Sequence, residues 1–231
     1  PEGLGYKLLA VNVSDIAAMG GNPGHAVVSL GIPPESDPGY LERTYTGLYA
    51  AADAFSVTIA GGDTTRSPVL VMNLALTGSA PADEVVYRSG ARPGDEIYVS
   101  GTLGDSAAGL DLLENETSVD AETRTELIRS HYRPEPRVAL GRALASTAAV
   151  TSMIDLSDGV ASDLQHICRQ SDVSATVESE AIPLSESLRR FCEAEQKQPL
   201  KLALSGGEDY ELLFTLDPEA RDRIEAIAEE E

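Results

Sequence analysis

The sequence predicts a mixed α+β fold in two domains, and three observations predict it. Short apolar segments bounded by Gly, Pro or Asp alternate with segments of helical period, in an order too irregular for a regular βαβ wind. The 231 residues, 42% apolar and 24% charged, can build a real core and suit one large domain or two modest ones. Residues 81–94 (PADEVVYRSGARPG) hold two prolines, two glycines and several charges, the mark of a joint between domains. The domains are therefore expected at 1–82 and 83–231.

The elements follow in chain order. Leu8–Val13 and His25–Leu30 are apolar runs of strand length. Tyr40–Phe55 has helical spacing, with Leu41, Leu48 and Ala52 on one side. Val57–Ala60, Val69–Thr77 and Glu96–Ser100 read as strands. Ser106–Leu113 reads as a helix. Gly159–Cys168 is another, with Val160, Leu164 and Ile167 on one face. Leu200–Leu204 and Glu211–Leu216 complete the strands. From Pro218 onward an amphipathic helix buries Ile224 and Ile227 and closes on the acidic Glu229–Glu231. That helix lacks a terminal cap and the chain opens on Pro1, so the sequence is expected to be cut at both ends.

Composition excludes several classes. The formal net charge of −21 disfavours nucleic acid and anionic membranes as partners. It also repels a nucleotide at long range, so ATP would need a counter-ion. A surface this acidic fits a salt-loving source, where screening weakens self-repulsion. No apolar run reaches the roughly 20 residues of a membrane span, and no leader is visible, so a cytoplasmic protein is expected. Cys168 and Cys192 belong to no metal-ligand spacing and are expected as small buried hydrophobes.

Familiar catalytic machinery is absent. None of Lys7, Lys197 and Lys201 follows a glycine-rich loop, so there is no P-loop. His25, His131 and His166 stand apart and support no triad. What recurs is an acid beside glycine or a helix start, after an apolar strand. Examples are Ser14-Asp15, Gly61-Gly62-Asp63-Thr64, Gly104-Asp105, Asp155-Leu156-Ser157-Asp158-Gly159 and Gly206-Gly207-Glu208-Asp209. Strand ends in one sheet lie side by side, so such acids can converge. Magnesium takes hard oxygen ligands, few of them carboxylates, and completes its shell with water and phosphate. A helix starting after Asp158 would turn its positive end toward phosphate. Each acid also has a plainer use. Asp105 fits an N-cap better than a ligand, Asp63 fits a turn, and Glu208-Asp209 fits a hairpin. Arg88 and Arg66 are candidate phosphate clamps.

These stretches resemble a known family. Gly5-Tyr6-Lys7, Val11-Asn12-Val13-Ser14-Asp15-Ile16-Ala17-Ala18-Met19-Gly20, Ala60-Gly61-Gly62-Asp63-Thr64-Thr65 and Arg88-Ser89-Gly90-Ala91-Arg92-Pro93-Gly94-Asp95 are similar to signatures of thiamine-monophosphate kinases. So are Val99-Ser100-Gly101-Thr102-Leu103-Gly104-Asp105-Ser106, Ile154-Asp155-Leu156-Ser157-Asp158-Gly159 and Leu204-Ser205-Gly206-Gly207-Glu208-Asp209-Tyr210-Glu211-Leu212. They keep the family's order along nearly the whole chain.

The resemblance implies an AIR-synthase-like fold with an N-terminal β-rich dimerisation and ATP domain and a C-terminal α/β domain. It implies a homodimer whose N-terminal strands pair across the two-fold. It implies γ-phosphoryl transfer from ATP to thiamine monophosphate with several Mg2+ ions. By motif, Asp15, Asp63, Asp155 and Asp158 are implied as metal ligands. Tyr45, Gly62, Arg88 and Ser157 are implied at ATP, and Glu208 and Asp209 at the substrate. No protein nucleophile is implied. The competing readings are another enzyme of the same superfamily (AIR synthase, selenophosphate synthetase or hydrogenase-maturation type) and an acidic scaffold with no nucleotide site.

Overall fold

The computed structural model describes residues 1–230. Helix α1 (Glu2–Ala17) leads into strand β1 (Asn22–Ile32), and helix α2 (Pro38–Ala54) into β2 (Thr58–Arg66) and β3 (Val71–Ser79). These strands form a sheet in the order β2-β1-β3, parallel between β1 and β2 and antiparallel between β1 and β3. Along β1, Ala26, Val28 and Leu30 point into the core while His25, Val27 and Ser29 are exposed, the period of two that a half-covered sheet requires. Helices α1 and α2 cover the inner face, with Leu9, Val13, Leu48 and Ala51 fully buried against it.

The expected strand at Leu8–Val13 is instead part of α1. Leu9, Val13 and Ala17 recur at helical spacing and are all buried. Close packing fixes the choice. A Cβ at Gly5 would lie 1.8 Å from the Thr44 carbonyl, and one at Gly47 would lie 1.8 Å from that of Glu2. Two helices that meet at glycines allow this approach.

The second half holds β4 (Glu96–Val99), α3 (Asp105–Glu114), α4 (Ala121–Tyr132), α5 (Val138–Ser146), β5 (Val150–Asp155) and α6 (Val160–Ser171). After these come α7 (Glu186–Ala194), α8 (Pro199–Ser205), β6 (Leu212–Leu216) and α9 (Arg221–Glu230). The strands form an antiparallel sheet in the order β4-β6-β5. Both faces are covered. Met153, Leu212 and Phe214 pack toward α5 and α9, while Ile154 and Leu213 pack toward α6 and α8. The expected strand at Leu200–Leu204 is helix α8, started by Pro199 in the first turn, where a missing N–H does no harm. Helices α4, α5 and α7 had no counterpart among the expected elements. Ile224 is buried on α9 as expected, and Glu231 lies outside the described residues.

The halves meet where the end of α1 enters the second core. Ala17 and Ala18 pack with Val86, Leu144 and Leu212. A Cβ at Gly141 of α5 would come within 2.3 Å of the Ala17 carbonyl, so glycine sets the distance between these helices. Residues 81–94 run as the connecting segment, pinned by Val86 N–H donating to Met19 O and Met153 N–H donating to Tyr87 O. Among the described residues no helix is long and apolar enough to cross a membrane.

Candidate active site

The site lies along this junction. At its centre is Asp155, the last residue of β5, only 3% exposed. Ser14 of α1 donates to Asp155 Oδ2 at 2.8 Å, a buried bond between residues 141 apart in sequence. Burial pushes the Asp155 carboxyl up to about 6, and the neighbouring Asp15 and Asp163 push it the same way, against the pull of Ser14. Asp15 itself is pushed up by burial and drawn down by the Arg88 guanidinium. Asp15 and Asp155, far apart in the chain, thus lie in one neighbourhood.

Beyond Asp155 the chain turns through Leu156 and Ser157 to Asp158, and Gly159 at φ +91 opens helix α6. The Asp158 N–H donates to Asp163 Oδ2 at 3.0 Å, so an acid inside the first turn locks the loop that carries Ser157 and Asp158. This turn is clasped by the segment after α8. Glu208 N–H donates to Ser157 O and Tyr210 N–H to Leu156 O, both at 2.9 Å. A Cβ at Gly207 would meet the Ser157 carbonyl at 2.6 Å, so the glycine makes the clasp possible. Gly207, Glu208 and Tyr210 all have positive φ, at 66°, 59° and 53°. For the two non-glycine residues this is strain of the kind concentrated at functional sites.

Tyr210 reports how the acids gather. Burial pushes its phenol up, and Glu208, Asp155, Asp15 and Asp158 all push further in the same direction. Four of the acids singled out from sequence therefore bear electrostatically on one phenol. Sequence reasoning gave no role to Lys7, Ser14 and Tyr210, although all three lie in the signature stretches, and none to His131, which no local pattern marks. Lys7 of α1 donates to Glu208 Oε2 at 3.0 Å, beside His131 of α4.

Other expected residues lie elsewhere. Gly62 and Asp63 fall within β2 rather than after a strand. Gly61 at φ +149 and the Gly62 approach to Val28 O serve a bulge in the β1–β2 register. Asp63 is exposed and accepts from the Thr64 N–H; no hydrogen bond or ion pair among the described residues links it to Asp155. Tyr45 is half-buried on α2, stacked at a tilt on Tyr49. Arg66 ends β2 in solvent. Asp105 is not the cap of α3: the capping position is Gly104, and Asp105 accepts from the hydroxyls of Thr102 and Ser185. The cap comes from Asp209, which accepts from Gly104 N–H at 2.9 Å and Ser106 N–H at 3.4 Å. Burial pushes Asp209 up to about 7, aided by Asp105 and Glu211. Glu211 is held by both nitrogens of the Arg137 fork, at 2.8 and 2.6 Å.

Comparison with known proteins agrees with this layout. Residues 1–80 match the AIR synthase related protein N-terminal domain, and residues 92–231 match its C-terminal domain. A thiamine-monophosphate kinase of Escherichia coli K12 is 48% identical over 217 residues, covering 94% of this chain and 65% of that protein. The one from Aquifex aeolicus is 40% identical over 215 residues, covering 93% and 69%. The solved structure of AaThiL complexed with AMPPCP and TMP superposes with a TM-score of 0.89 at 39% identity, covering 95% of this chain and 70% of that one. The chain thus spans about two thirds of the length of these relatives. With both halves matched in order and the signatures in place, the chain belongs to the AIR synthase related family, among its thiamine-monophosphate kinases.

Proposed function

We propose that this chain carries out ATP- and magnesium-dependent phosphorylation of thiamine monophosphate to thiamine diphosphate. The observation that carries the reading is that the Ser14–Asp155 bond and the Glu208–Ser157 clasp join the segments bearing Asp15, Asp155, Asp158 and Glu208 beside the start of α6. The kinase names of the relatives and the AMPPCP and TMP held by AaThiL support it.

The donor chemistry fits magnesium. Carboxylate oxygens are hard ligands, and the buried Asp155 beside Asp15 is a costly arrangement for two like charges unless a cation joins them. Among the described residues no three His, Cys, Asp or Glu side chains are grouped so that they could hold a metal ion together. That accords with an ion that takes few protein ligands and fills its shell with water and phosphate oxygens. No more than two of Asp15, Asp155, Asp158 and, on the family motif, Asp63 would hold any one ion. When bound, it neutralises phosphate charge at the reacting centre.

The chain's own residues position the reactants. The start of α6 turns its positive end toward the Ser157–Asp158 turn, where phosphate is favoured. Arg88, beside Asp15, offers a two-pronged contact to phosphate oxygens. Gly62, Tyr45 and Ser157 are assigned to ATP, and Glu208 to the cationic thiazolium of the substrate, with Asp209 behind it as a structural support. The acceptor is a phosphate oxygen already ionised near neutral pH. In-line transfer then depends on alignment and charge, with no protein nucleophile.

We also infer a homodimer through the N-terminal sheet. Strand β2 is a free edge, and Val27 and Val71 are exposed on the uncovered sheet. Sedimentation at a monomer's mass would overturn this. We infer a domain boundary at residues 82–83 and a cytoplasmic location, where ATP is at hand.

The test is turnover with ATP, magnesium and thiamine monophosphate. Asp63→Asn and Asp158→Asn are expected to lower it by more than about hundredfold while the folded state is kept. Near-normal rates in both overturn the metal assignment. Turnover with an aminoimidazole precursor in place of thiamine monophosphate overturns the substrate.

A further inference from the structure

Lys7 is one of three lysines in a chain with 38 acidic residues, and it is held where α1 crosses onto the C-terminal half. Its side chain is 15% exposed. The ammonium donates to Glu208 Oε2 at 3.0 Å. It also lies 3.4 and 3.5 Å from Nδ1 and Nε2 of His131. His131 Nδ1 stands 3.1 Å from Ser106 Oγ and 3.5 Å from the same Glu208 Oε2. Helices α1 and α4 thus converge on a single carboxylate oxygen of the clasp segment, with Ser106 of α3 touching His131 from behind. The other oxygen, Oε1, has no partner among the described residues, and the Glu208 side chain is 42% exposed.

Stability does not account for this arrangement. Burying an ammonium is unfavourable, and a buried ion pair is weak evidence of net stabilisation. Burial lowers the Lys7 pKa, while Glu208 draws it back. What the contact does achieve is orientation. Glu208 sits at φ +59 between a left-handed glycine and Tyr210 at φ +53. Its N–H is anchored on Ser157 O, and its side chain is anchored on Lys7. Lys7 and Ser14 are seven residues apart on α1, so they share a face, and each grips an acid of the C-terminal half.

We propose that Lys7 is a positioning residue for substrate recognition: with His131 beside it, it fixes Oε2 of Glu208 and leaves Oε1 to face the thiazolium of thiamine monophosphate. This rests on the assignment of Glu208 to the substrate made above.

In the enzyme, Lys7→Met is expected to raise KM for thiamine monophosphate about tenfold, the loss of one charge-assisted hydrogen bond. KM for ATP should stay within about twofold. Lys7→Arg keeps a cation and should recover most of the loss. Combined with Glu208→Gln, Lys7→Met should add nothing further, because the two side chains act as one unit. If Lys7→Met does not fold, His131→Asn is to show the same split between the two KM values. An unchanged KM for thiamine monophosphate overturns the proposal. So does a lowered one, which would mean that the ammonium only competes with the substrate. Equal rises in both KM values without recovery by Lys7→Arg also overturn it, as they mark a structural role. Absence of thiamine monophosphate turnover in the unsubstituted enzyme removes the assigned function and this inference together. Turnover with no effect of Lys7→Met removes the inference alone.

Discussion

In the C-terminal sheet every residue of β6 is buried, whereas in the N-terminal sheet eight of the nine residues of β2 are exposed. Both sheets have three strands, and both carry acids drawn from the family signatures. Helices cover two faces of one sheet and one face of the other. The difference teaches that one residue type serves two ends. Asp63 sits in water on an open strand, where it affects the fold little. Asp155 and Asp209 sit among packed helices, where their charge opposes folding and their hydrogen bonds support it.

The comparison breaks first if apolar truncation has similar effects in both sheets. Leu213→Ala on β6 is expected to lose up to about 5 kcal/mol, because a fully buried side chain leaves a cavity between two helical layers. Val71→Ala on β3, 47% exposed in the single chain, should stay within about 0.5 kcal/mol in the monomer, at concentrations below those at which the inferred dimer forms. Denaturant unfolding of the two variants reads the difference, and equal losses would show that the open sheet is covered in solution.

The pH dependence sharpens the same point. Asp209 binds its proton more tightly folded than unfolded. Its contribution is therefore fully present below its ordinary value of 3.8 and is lost as pH rises through about 7. The loss is about 4 kcal/mol at most. Asp209→Asn keeps an acceptor for the Gly104 N–H and should flatten this fall between pH 4 and 7. A wild-type slope in the variant, measured by thermal melts across pH, refutes that account.

A smaller effect is expected at the joint between the regions. Gly141→Ala places a methyl group within 2.3 Å of the Ala17 carbonyl, and backbone cannot yield as a side chain can. The expected loss is about 1–3 kcal/mol. Turnover should fall with it, since α1 carries Ser14 and Asp15 into the site. A variant as stable and active as the parent would mean that the helices separate freely.

Much of the fold was legible. The alternation of β1 and the helical spacing of α2 and α6 survive intact, because each buries one face and their sequence periods say so. Leu8–Val13 and Leu200–Leu204 were not legible as helices. A run of apolar residues fits either a buried strand or a buried helix, and only the glycine contacts of α1 with α2 separate them. The signature acids were legible one by one. The segments bearing Asp15, Asp155, Asp158 and Glu208 are joined by the Ser14–Asp155 and Glu208–Ser157 bonds, while Asp63 lies apart on β2. The roles of Asp105 and Asp209 were not. The cap of α3 comes from a residue 105 positions away, and no local pattern encodes that.

The sequence by itself determined the family, the order of the acid-bearing signatures and the chemistry those oxygens favour, because residue type and local spacing are written in the chain. Tertiary structure alone decided which acids are buried, which cap a helix and which lie open on β2. It also set Lys7 against Glu208 across 201 residues. Those outcomes depend on the packing of distant segments and on the water it removes, and neither is a property of any short stretch of sequence.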